Sequence, residues 1–197
     1  MVAPIALAVR VVLASAWLSS CLVVAQEEGA TSPWNRFRGP NGTGLAEGQY
    51  VTQIGPEQGV IWKREFPEGH SSPIFSAKLM FLTGVEDEKI YTYAIDRADG
   101  ATVWRKQGPR PRRTEFHGKN GPAAASAAVD ADTVIVFFDE YGMLAYDHAG
   151  KERWRMPLGP FFNIYGMGAS PILVGDTVVL PCDDGKASYV IGVDKMT

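Results

Sequence analysis

A partial β-propeller of about three four-stranded blades, all-β throughout, is expected here on three grounds. Three stretches of the chain align on one pattern. Their apolar runs are short and spaced at intervals suited to strands. A turn motif ending in tryptophan recurs between them. Repeats of roughly 40–50 residues, each with several short strands, are the sequence signature of propeller blades.

The first repeat runs Ser72-Pro73-Ile74, Leu79-Met80-Phe81-Leu82 and Tyr93-Ala94-Ile95-Asp96, then Gly100 and Trp104. The second runs Ser126-Ala127-Ala128, Val134-Ile135-Val136-Phe137-Phe138 and Leu144-Ala145-Tyr146-Asp147, then Gly150 and Trp154. The third runs Ser170-Pro171-Ile172, Val178-Val179-Leu180 and Val190-Ile191-Gly192-Val193-Asp194. The opening serines lie 54 and 44 residues apart, and Trp62, Trp104 and Trp154 lie 42 and 50 apart. Val134 to Phe138 and Val178 to Leu180 are unbroken apolar runs, which predicts strands buried on both faces between neighbouring blades. Ala123 to Ala128 has helical propensity. The repeat alignment instead assigns it to an innermost strand, where small residues suit a crowded axis.

The segment Ala94 to Trp104 has the form A-x-D-x-x-x-G-x-x-x-W, and Ala145 to Trp154 repeats it one residue shorter. The physical roles are legible. Asp96, Asp147 and Asp194 are expected to cap tight turns. Gly100 and Gly150 supply a backbone conformation that other residues resist. Trp104 and Trp154 bury a flat surface against the next blade. This motif resembles the tryptophan-docking motif of secreted bacterial propellers of the pyrroloquinoline-quinone (PQQ-like) repeat type, a group that includes quinoproteins and the propeller lipoprotein of outer-membrane assembly. Trp34 to Gly44 and Gly69 to Pro73 resemble the lead-in stretches of the same family. The resemblance spans roughly residues 33–197 and implies a ring of seven or eight blades, so the chain is expected to be an N-terminal fragment, stopping inside its third docking motif. Trp62, in Val60-Ile61-Trp62-Lys63, is expected to lie on an outer strand.

The expected organisation is a signal peptide at 1–25, a turn-rich lead-in at 26–59 and propeller repeats at 60–197. The blades fall at about 69–106, 122–156 and 167–197. Arg10 followed by the apolar stretch Val11 to Ala25 fits an export signal. A membrane anchor competes with that reading, although the run is short for a span. Leu18-Ser19-Ser20-Cys21 also fits a lipidation box, which would place a lipid on Cys21. The protein is therefore expected to be exported, periplasmic or extracellular, with membrane attachment only if Cys21 is lipidated. After cleavage Cys182 is left without a disulfide partner and is expected to be a buried, inert thiol.

Hydrophobic residues make up 46% of the chain and the formal charge is −3, so no nucleic-acid partner is expected. The three histidines, His70, His117 and His148, lack metal-ligand spacing, and His148 is expected to be solvated in its turn. Asp183-Asp184 before Gly185 reads as a turn, and Asn41-Gly42-Thr43 likewise, despite matching a glycosylation sequon. Arg105, Lys106, Arg110, Arg112, Arg113 and Lys119 crowd one loop offset only by Glu115. That loop reads as a solvated connection or as a contact for an anion or partner. His70, Asn120 and Tyr165 precede the three innermost strands, where propeller loops form a channel mouth, and are the candidate ligand-binding residues. No catalytic and no metal-binding residue is assigned, and no cofactor is expected. The resemblance implies PQQ with calcium as the alternative. The functional expectation is a non-catalytic envelope scaffold with a protein or carbohydrate partner. A quinoprotein oxidoreductase fragment and a carbohydrate-binding propeller are the alternatives.

Overall fold

The computed structural model describes residues 34–197 apart from Glu47 and Gln49. The expected signal peptide and Cys21 lie outside the described residues. Among the described residues eleven strands form three antiparallel sheets, and each sheet follows chain order. The first contains β1 (Ile74–Phe75), β2 (Leu79–Glu86), β3 (Lys89–Asp96) and β4 (Thr102–Gln107). The second contains β5 (Ala128–Val129), β6 (Thr133–Phe138), β7 (Gly142–Asp147) and β8 (Glu152–Pro157). The third contains β9 (Ile172–Val174), β10 (Thr177–Cys182) and β11 (Tyr189–Asp194). Meanders of this kind, repeated and packed face to face, make a partial propeller.

The second sheet is sandwiched between the other two. One apolar cluster, including Phe81, Ile90, Trp104, Val134, Val136 and Leu144, joins it to the first sheet. Another, including Ile135, Phe137, Met143, Val178 and Leu180, joins it to the third. Alternate residues of β6 thus serve different interfaces, and all six are buried. This is the physical reason for its unbroken apolar run. The third sheet differs from expectation. Along β10, Val178 and Leu180 are fully buried while Val179 is only partly covered, because just one face of that sheet meets a neighbour among the described residues.

Two further expectations are corrected. Ala123 to Ala128 forms no helix, and only Ala128 lies in a strand, although Ala123, Ala125, Ala127 and Ala128 are all buried. Tight packing against both flanking sheets overrides the local helical preference. Trp62 belongs to no strand. It is carried on an extended stretch that touches the first sheet by an isolated bridge, Glu68 to Val85.

The docking motif has the same geometry at each interface. Trp62 Nε1 donates to Arg97 O at 2.9 Å, Trp104 Nε1 to His148 O at 2.9 Å, and Trp154 Nε1 to Lys195 O at 2.8 Å. Each acceptor follows the turn aspartate by one residue. Asp96, Asp147 and Asp194 cap these turns, their carboxylates accepting from the amides of Ala98, Lys151 and Met196. The Trp62 ring lies over Gly100 and the Trp104 ring over Gly150, where a Cβ would come within 2.7 Å and 2.8 Å of the indole. Outer strands β4 and β8 each carry one extra residue relative to β3 and β7, Val103 and Arg153. The pairing jumps from Ala94–Trp104 to Ile95–Thr102, and from Ala145–Trp154 to Tyr146–Glu152. Such a bulge re-aims the next side chain, and here that side chain is the docking tryptophan.

The opening serines have a physical role that spacing alone does not reveal. Ser72 N donates to Ser126 Oγ at 2.8 Å, and Ser126 N donates to Ser170 Oγ at 3.0 Å. One hydroxyl per blade thus links the innermost strands in series. At the other end of these strands, Trp34 O accepts from Phe75 N and Asn35 O from Val129 N, both at 2.8 Å. The lead-in stretch is therefore stitched across two blades.

Candidate functional site

The loops that enter the innermost strands gather at one end of the sheets, together with the β2–β3, β6–β7 and β10–β11 turns. His70 is exposed and its backbone N–H donates to Ala123 O at 3.0 Å. Its ring lies beside Gly121. Asn120 is half-buried. Its Nδ2 donates to Tyr165 O, and its Oδ1 accepts from Gly121 N at 2.8 Å. Tyr165 is 59% exposed, and its ring sits 5.4 Å from that of His117. The structure therefore joins Asn120 and Tyr165 directly and sets His70 one residue away, across Gly121.

Several arginines of the basic loop are engaged with the blades. Three of its six cations are met by carboxylates of the hairpin turns, which sequence spacing does not bring close. Arg105 pairs with Glu86, and Arg113 faces Glu88 at 3.8 Å. Arg110 pairs with Glu140, whose side chain is fully buried, and Glu140 also accepts from Thr114 N at 2.6 Å. Arg112 donates to the carbonyls of Asp139 and Leu158. The sequence reading missed the Asp139-Glu140 pair. The signal that marks it is two adjacent acids directly after five consecutive apolar residues, in a chain with arginines to spare.

Asp139 ties this arrangement to the next loop, its Oδ2 accepting from Met167 N at 2.9 Å. Its Oδ1 is buried and has no partner in the structure. Burial pushes the Asp139 carboxyl above the usual carboxylate range, and the Glu140 charge adds to this against the Met167 amide. Asp184 goes the opposite way. Backbone N–H groups of Lys186 and Phe162 hold its carboxyl below the usual range. Asp183 accepts from Ser188 Oγ. Both acids serve the β10–β11 turn and its contact with the 158–171 loop.

Of three other residues singled out by the sequence, His148 alone departs from expectation. His148 is half-buried. Its Nε2 lies 3.1 Å from Asp130 O and its ring packs on Phe81, so it is not free in solvent. Cys182 is buried, and burial pushes its thiol pKa up. Asn41 lies in a short 3-10 turn, Pro40–Gly42, with a left-handed φ of 57°.

The 158–171 loop, Leu158 to Pro171, contains no charged residue. Its backbone is held at several points. Phe162 N donates to Asp184 Oδ2 and Gly185 N to Phe162 O. Tyr165 N donates to Asn163 Oδ1, and Gly166 N to Asn163 O. Yet Phe162, Ile164 and Tyr165 are 52%, 79% and 59% exposed. A loop held at these points that displays large apolar side chains on a blade scaffold has the form of a binding surface.

Stacked four-stranded meanders joined by docked tryptophans define a propeller of repeated blades. The family described as outer membrane protein assembly factor BamB matches residues 45–161, more than half of the chain. The chain belongs to this family of PQQ-like-repeat propellers. Among solved structures it is similar to a europium-containing methanol dehydrogenase, at 17% identity and a TM-score of 0.51, over 66% of this chain and 23% of that one. It is also similar to BamB from Moraxella catarrhalis, at 20% identity and a TM-score of 0.48, over 68% of this chain and 36% of that one. The chain thus spans roughly a quarter to a third of the length of those structures. No curated protein matches it. Among the described residues, no helix is long and apolar enough to cross a membrane.

Proposed function

We propose that this chain is part of a non-catalytic propeller of the cell envelope that acts as an interaction scaffold, with the mouth end of its blades as the working face. The observation that carries this reading is the 158–171 loop, whose backbone is hydrogen-bonded at Phe162, Tyr165 and Gly166 while the side chains of Phe162, Ile164 and Tyr165 face solvent. Preorganised aromatic groups bind at low entropic cost. The matched family's description, an outer membrane assembly factor, supports an envelope setting and a role in contacting other molecules. Export by the 1–25 segment, with or without a lipid on Cys21, belongs to the same proposal. So do His70 and Asn120 as the polar rim of that face.

The rival reading is a fragment of a quinone-dependent oxidoreductase. The two are separated by titrating the full-length protein with PQQ and calcium while following absorbance and the thermal midpoint. A ligand that binds only the folded state raises the midpoint. No shift at saturating quinone is the outcome expected for the scaffold. Saturable binding with a raised midpoint overturns it.

A further inference from the structure

The β6–β7 turn sets two adjacent acids at the end of the middle sheet, and both are buried, Asp139 at 6% and Glu140 at 0% exposed. Glu140 is fully answered. Arg110 pairs with one of its oxygens, and Thr114 N donates to the other at 2.6 Å. Asp139 is only half answered. Its Oδ2 accepts from Met167 N at 2.9 Å, while its buried Oδ1 has no hydrogen-bond partner. An ionised carboxylate can only accept hydrogen bonds, so an orphaned oxygen leaves buried negative charge unmet. A proton on that oxygen removes the charge.

The charged groups around Asp139 do not supply the missing donor. On its own turn, Glu140 adds like charge. From the 108–121 loop, Arg112 attracts the carboxylate, but its Nη2 donates to the carbonyls of Asp139 and Leu158, and Arg110 is held by Glu140. The 158–171 loop brings no charged residue, and its one titratable side chain, Tyr165, faces solvent. Burial outweighs these influences and favours the protonated carboxyl. The same turn holds the 158–171 loop at two points. Leu158 N donates to Tyr141 O at 2.8 Å where the loop leaves the sheet, and Met167 N returns to Asp139. Losing the second bond frees the far end of the loop while the first stays in place.

We propose that Asp139 is a proton-operated latch on the 158–171 loop. With its proton in place the carboxyl holds Met167, and once the proton is lost to solvent the unmet buried charge drives this corner open to water. The latch is independent of what the mouth face binds. The test is hydrogen exchange by mass spectrometry on the full chain, corrected for the intrinsic pH dependence of exchange. Peptides covering residues 161–169 are compared with peptides covering β6, from about pH 4, the ordinary carboxylate value, to about pH 8. Protection of 161–169 should fall about fivefold to thirtyfold as pH rises, the worth of one unsatisfied buried group, while β6 stays protected. Asp139→Asn keeps an acceptor for Met167 and cannot ionise, so its protection should stay high and flat. Histidines as a class change charge near neutrality, and the His117 ring lies 5.4 Å from that of Tyr165, so His117→Gln is the control and should keep the wild-type response. Circular dichroism confirms that the variants are folded, and the wild-type comparison of the two peptides stands without them. Wild-type protection that is flat with pH, a fall shared equally by β6, a fall that persists in Asp139→Asn, or one that vanishes in His117→Gln overturns the latch.

Discussion

At the scale of single residues, the docking motif works because three side-chain properties meet at one point. The aspartate carboxylate holds the turn, the glycine leaves room above it, and the indole of the preceding blade fills that room while its N–H satisfies the turn carbonyl. At Gly150 the backbone φ is 81°, and a Cβ would lie 2.8 Å from the Trp104 ring. Gly150→Val therefore combines left-handed backbone strain with overpacking and should cost on the order of 2–4 kcal/mol in denaturant unfolding. Gly118→Ala, where no atom lies within 4 Å, should be neutral or slightly stabilising. Asp139 makes a prediction of its own. Because burial raises its folded pKa, the native state holds a proton that the unfolded chain releases. Its contribution to stability is therefore greatest at low pH and declines as pH rises from the ordinary carboxylate value through the raised one. Asp139→Asn should flatten that limb of the unfolding midpoint against pH. Asp184, with its lowered pKa, should leave a separate loss of stability at more acidic pH, where its turn contacts are protonated away.

At the scale of elements, much was legible before any geometry. The unbroken apolar run of β6 marked a strand buried on both faces, and its six residues are buried. The aspartate, glycine and tryptophan positions marked the turns between inner and outer strands. The serines at the head of each repeat were visible as a pattern without a reason, because a hydrogen bond between residues 54 positions apart leaves no local trace. Removing the middle hydroxyl should unlink two blades at once. Ser126→Ala leaves the Ser72 N–H without its acceptor, at a cost of about 1–3 kcal/mol, and amide exchange should quicken at Ser72 more than at residues of β6. The basic loop was visible only in part. Its arginines stood out by composition, but their partners, Glu86, Glu88 and Glu140, lie on other hairpins. Through Arg105, Arg110 and Arg113 the loop also ties itself to the blades.

At the scale of the whole molecule, the sheets stack in chain order, and each interface repeats the same tryptophan dock. The outward face of the third sheet has no neighbour among the described residues, and Val190 there is 69% exposed beside Tyr189 on an edge strand. An apolar edge is a template for self-association. For the chain described here, Val190→Lys should reduce light scattering at high concentration with little change in the unfolding midpoint, since the side chain it replaces is already in solvent. The sequence by itself determined the strands, the repeat, the docking turns and the family, because these depend on short-range patterns of polarity, glycine and tryptophan. Only the tertiary structure decided which carboxylates meet Arg105, Arg110 and Arg113, that Asp139 and Glu140 lie buried, and that Phe162, Ile164 and Tyr165 stand exposed. These depend on which distant turns meet at the end of the blades, and that meeting is set by the packing of whole sheets.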